Sequence, residues 1–130
     1  MDSLKSVLIV MNNPSEAWAI AQDLVRNGLS VTASVSGIDG LQQLERHEFG
    51  YLILDSAIRE GSLLTFMAYC RRYLTGTVPI ALIDTSLALT PEKLQMVGAK
   101  YCVSRPQYRE VISDIIFGLD AGKNRRGSVQ

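Results

Sequence analysis

The chain has 130 residues, 47% of them hydrophobic and 20% charged, and its thirteen Lys plus Arg balance thirteen Asp plus Glu. That length holds one domain with an ordinary core and leaves no room for a second. Zero net charge argues against a nucleic-acid or anionic-membrane partner, and no apolar run approaches the roughly 20 residues that span a bilayer.

MDSLKS, at the start of the sequence, lacks the basic region and cleavage site of a signal peptide, so the expected compartment is the cytoplasm. Val7 to Val10 is a short apolar run of the kind a buried strand makes. After Pro14, Ala17, Ile20, Ala21 and Leu24 recur at helical spacing, and Gly28 ends that helix. LSVTASVSG, Leu29 to Gly37, alternates like an edge strand. Ile38 to Arg46 is helical through Leu41 and Leu44, and EFG at 48–50 is a turn. Tyr51 to Leu54 is a second buried strand, ending at Asp55. Leu63 to Tyr73 is a helix with Leu63, Phe66, Met67 and Cys70 on its apolar face, and Pro79 to Ile83 is the fourth strand. Thr90 and Pro91 open a short helix carrying Leu94 and Val97, closed by Gly98. Tyr101 to Val103 is the fifth strand, and Gln107 to Leu119 a last helix with Tyr108, Ile112, Ile115 and Leu119 in phase. Residues 1–119 thus form the domain, and 120–130, DAGKNRRGSVQ, is expected to be a flexible basic tail or linker.

Five strands alternating with five helices predict an α/β fold with a parallel sheet covered on both faces. Cys70 and Cys102 fall inside apolar patterns and are expected to be buried free thiols. His47, between Glu45 and Glu48, is expected to be solvated. In an open parallel sheet the ligand site lies beyond the carboxyl ends of the strands. Those ends carry Met11, Asn12 and Asn13; Asp55; Asp84 with Thr85; and Arg105 with Pro106. No strand is followed by GxGxxG or GxxxxGK[ST], which disfavours a nucleotide or flavin binder.

Over roughly residues 5–119 the sequence resembles the receiver domains of two-component response regulators. VLIVMNNPSE is similar to that family's first strand and acidic pair. SGIDGLQQLERHEFGYLILD is similar to its second helix and phosphoacceptor strand, and VPIALIDT and GAKYCVSRP to its last two strands. The resemblance implies a flavodoxin-like, doubly wound (βα)5 sheet of order 2-1-3-4-5. It also implies phosphoryl transfer to an aspartate with magnesium held by carboxylates. Position by position, Asp55 matches the phosphoacceptor, Met11 and Asn12 the acidic pair, Asp84 with Thr85 the hydroxyl position, and Arg105 the lysine. Cys102 stands where the family's switch aromatic belongs, with Tyr101 one place early.

Only Asp55 keeps the residue the chemistry wants. A hard magnesium ion is poorly served by a thioether and a neutral amide. The arginine fork can instead bind carboxylates without a metal, so the expectation is an Asp55, Arg105 and Asp84 salt-bridge cluster. The implied function is an atypical, non-enzymatic receiver without cofactor or metal, acting by contact with a histidine kinase, phosphotransfer protein or output domain. The alternative is a working receiver phosphorylated at Asp55, with Mg2+ as cofactor, controlling an output domain. Trp18 lies off the first helix's buried stripe and is either an exposed anchor or folded over the helix edge. In the family the fourth helix, fifth strand and fifth helix serve dimers and output modules. Here that surface would hold Lys93, Gln95, Met96, Tyr101, Tyr108 and Arg109.

Overall fold

The computed structural model describes residues 5–55, 63–73, 76–83, 101–104 and 108–120. Apolar runs become strands β1 (Ser6–Val10), β3 (Tyr51–Asp55) and β4 (Val78–Ile83). Edge strands β2 (Ser30–Ser34) and β5 (Tyr101–Ser104) are shorter on apolar side chains. The strands pair in parallel in the order β2-β1-β3-β4-β5, as the doubly wound expectation requires. Helices α1 (Pro14–Arg26), α2 (Gly37–Arg46) and α3 (Leu63–Tyr73) and a terminal helix (Tyr108–Asp120) cover the faces.

Strand alternation divides the core in two. Leu8, Val10, Leu52, Leu54 and Ala81 face α2 and α3, meeting Leu44, Phe66 and Cys70. Val7, Ile9, Met11, Tyr51, Ile53, Ile80, Leu82 and Val103 face α1 and the terminal helix, meeting Ala17, Ile20, Leu24, Ile112 and Ile116. β1 and β3 are therefore dry on both sides, which is why they are apolar without alternation. Each fully buried Leu or Ile contributes roughly 1.5–3 kcal/mol.

Local chemistry sets the helix ends. Asn13 caps α1, its side-chain oxygen accepting from the N–H groups of Ser15 (2.9 Å) and Glu16 (3.2 Å), with Pro14 in the first turn. At the other end the Gly28 N–H donates to the Val25 carbonyl (3.0 Å) and the Leu29 N–H to the Leu24 carbonyl (3.1 Å). This doubly bonded helix stop needs the φ of +92° that Gly28 adopts. α2 packs unusually close to the sheet, because a Cβ on Gly40 would lie 2.8 Å from a Val10 methyl.

The edge strand ends three residues before the alternation does. Ser36 is recruited as the cap of α2, its hydroxyl accepting from the Asp39 N–H at 3.1 Å, and that pulls Val35 and Ser36 out of the ladder. Cys70 is buried and free, as expected, and His47 is exposed, edge-on to Phe49. The expected helix over 90–97 lies outside the described residues, as does the expected tail from 121 on, while its first residue, Asp120, is the last residue of the terminal helix. No helix among the described residues is long and apolar enough to cross a membrane.

Candidate functional site

The carboxyl ends of β1 and β3 come together in the middle of the sheet. Register places Val10 beside Leu54, so one residue further on position 11 lies beside position 55. On the other side Asp55 pairs with Leu82 of β4. Neighbouring strands run about 4.8 Å apart, so the side chains at 11 and 55, which share a face, are immediate neighbours. Asp55 is 5% exposed and is one of two buried polar side chains among the described residues.

Met11, Asn12 and Asn13 each do something different. Met11 is 0% exposed and belongs to the core cluster with Val7, Ile9, Ile20 and Leu24. Its backbone N–H donates to the Ser34 carbonyl at 3.0 Å, carrying the β1–β2 pairing one residue past β1. The Asn12 side-chain amide donates to the Val35 carbonyl at 2.8 Å and ties the turn after β1 to the turn after β2. Asn13 is the α1 cap. The thioether is thus a core group, and both amides hold turns in place.

Behind this turn lies a pair that sequence reasoning missed. Ser34 is buried, and its hydroxyl donates to Asp39 Oδ2 at 2.6 Å. The S-x-x-D spacing of Ser36 and Asp39 was the available signal, since it marks a helix start with an acidic third residue. Val35 offered none, because its partner lies 23 residues away and the group involved is a backbone carbonyl.

The remaining strand ends are placed by the backbone. Tyr101 pairs with Ile80, Cys102 with Ala81 and Ser104 with Ile83, so β5 runs parallel to β4 and ends at the same edge of the sheet. Asp84, Thr85 and Arg105, and with them the expected salt-bridge cluster, lie outside the described residues, as do Lys93, Gln95 and Met96. Tyr108 and Arg109 open the terminal helix. Trp18 stands out on α1 at 66% exposure, which resolves its two sequence readings in favour of the exposed one.

Among the described residues two titrations are displaced, those of Cys70 and Tyr69 on α3. Burial pushes the Cys70 thiol up to about 12, so it stays protonated and unreactive. Tyr69 is raised by desolvation first and then by the Glu45 carboxylate. Among the described residues no three His, Cys, Asp or Glu side chains gather to hold a metal ion.

No family model and no curated protein matches the sequence. Solved structures match in shape. The response regulator signal receiver domain from Bermanella marisrubri is 22% identical over 88% of this chain and 97% of that one, with a TM-score of 0.74. A CheY-like receiver domain protein from Methanospirillum hungatei JF-1 is 18% identical over 92% and 97%, with a TM-score of 0.78. The receiver domain of a Pseudomonas aeruginosa PAO1 sensor histidine kinase is 22% identical over 86% and 93%, with a TM-score of 0.74 and a magnesium ion coordinated in its active site cleft. The fold is the receiver fold.

Proposed function

We propose that this chain is a receiver-like signalling module that works by protein contact and has given up magnesium-dependent phosphorylation at Asp55. The observation that carries the proposal is Met11, fully buried beside Asp55. A carboxylate at that position would face Asp55 in a dry setting and would need a cation between them. A thioether removes both the repulsion and the hard oxygen ligand that magnesium demands. Asn12 supports the same conclusion, since its amide nitrogen is committed to Val35 and its oxygen is neutral. The donor set at the end of β1 therefore does not fit magnesium. The module needs no cofactor and catalyses no step of its own.

Its partners are then proteins of a two-component pathway: a histidine kinase, a phosphotransfer protein or an output domain. The exposed indole of Trp18 gives α1 an anchor for protein contact. Receivers also pair or reach their outputs through a second surface, to which the fifth strand and the terminal helix belong.

The test is incubation with acetyl phosphate and magnesium followed by intact-mass measurement. The expected result is an unmodified mass, with no more adduct than Asp55→Asn shows. A phosphoryl adduct on the native chain that Asp55→Asn abolishes would overturn the proposal in favour of a working phosphoacceptor.

A further inference from the structure

β2 is the end strand of the sheet, and among the described residues no strand pairs with its outer side. The carbonyl of Ser34 accepts from Met11, the residue after β1, so by strand alternation the backbone groups of Ser30, Thr32 and Ser34 turn inward. Those of Val31 and Ala33 point out. Edge strands are usually protected by Lys, Pro or an inward charge. This one has none: from Leu29 to Gly37 there is no charged residue and no proline.

The helix beside it is bare in the same way. α1 lies over β1 and β2, and the β1-α1-β2 crossover is right-handed. The helix runs antiparallel to the strands, so a residue one place after the buried stripe turns towards the outer side of β2. Trp18 follows buried Ala17 and Val25 follows buried Leu24, at 66% and 52% exposure. Gln22 lies between them. Glu16 and Asp23 fall on the opposite flank, towards the terminal helix. Among the described residues, one side thus presents an open strand edge and an apolar helix flank, neither carrying a charge.

We infer that a second copy of this chain covers that side, with the two β2 strands pairing antiparallel about a two-fold axis through Thr32. The geometry is self-complementary. Val31 of one copy meets Ala33 of the other, and because those are the residues with outward backbone groups, each such pair exchanges two hydrogen bonds. Thr32 meets its own copy in a non-hydrogen-bonded pair, and Ser30 meets Ser34. No like charges are brought together, which is the condition a patch must meet to bind itself. The axis also reverses α1, so that Trp18 approaches Val25 of the other copy. With α1 over the β1–β2 pair and strands about 4.8 Å apart, the two helix axes come to about 10 Å, within the range of packed helices. The inference does not depend on whether Asp55 is phosphorylated.

Light scattering on a sizing column, run from micromolar to millimolar protein, tests it. The native chain is expected to dimerise with rising concentration. Ala33→Lys places a charge on an exposed edge position, and Ala33→Pro removes an outward N–H without touching the β1 ladder. Both are expected to be monomeric at concentrations where the native chain is dimeric, with unchanged circular dichroism. Trp18→Ala should weaken the dimer at least tenfold. A native chain that stays monomeric at millimolar concentration overturns the inference. So does a dimer that survives Ala33→Lys with its affinity unchanged, since that interface would lie elsewhere.

Discussion

Met11, Asn12 and Asn13 separate cleanly when changed one at a time. Asn13→Ala removes the α1 cap and should cost about 1 kcal/mol, measured by urea unfolding. Asn12→Asp keeps the shape but replaces a donor with a carboxylate facing the Val35 carbonyl, and should cost about as much. Met11→Asp buries a charge beside Asp55 and should cost several kcal/mol. Combining Met11→Asp with Asn12→Asp supplies hard carboxylate oxygens of the kind a magnesium ion takes. Added Mg2+ should therefore raise the melting temperature of that double variant and leave the native chain unmoved. A native chain stabilised by Mg2+ to the same extent would refute the proposal that the end of β1 does not fit magnesium. The sequence made Asn13 legible, since an amide before proline announces a helix start. It left the burial of Met11 invisible, because only the register of β1 against β3 makes residue 11 the neighbour of residue 55.

At the scale of elements, the fit of α2 to the sheet turns on Gly40. A methyl group there would meet the Val10 side chain at 2.8 and 3.1 Å and the Phe66 ring at 3.4 Å. Alanine favours a helix over glycine by about 1 kcal/mol, but forcing α2 off β1 costs roughly 1–3 kcal/mol. Gly40→Ala is expected to be destabilising on balance, seen as a lower urea midpoint with an unchanged slope. An unchanged or higher midpoint would mean that α2 can lift off the sheet freely. Strands buried on both sides announced themselves as VLIV and YLIL, and their helices by period. The end of β2 did not, because SVTASVSG alternates through Gly37 and nothing in the alternation says that Ser36 is worth more as a cap.

Over the whole molecule, stability should fall on the alkaline side in a way set by Cys70. Its pKa rises from 9.0 to about 12 in the folded chain. The protonated thiol is favoured by folding, so this contribution is complete below pH 9 and is lost as pH rises towards 12. Over that window a single such group costs about 1 kcal/mol per pH unit. Cys70→Ala should lower stability at neutral pH through the cavity it leaves, yet flatten the alkaline decline in a plot of unfolding free energy against pH. An equally steep decline in the variant would assign it to other groups.

β2 joins the core on one side only, and the effect reaches down to single amide protons. Those of Thr32 and Ser34 point to β1, whereas those of Val31 and Ala33 point to water in a single copy of the chain. Deuterium should therefore enter this strand at alternate residues, fast at 31 and 33 and slow at 32 and 34. Val7 to Val10 and Leu52 to Leu54, sealed between helices, should exchange only when the whole molecule opens. A five-residue strand becomes a ruler with wet and dry marks.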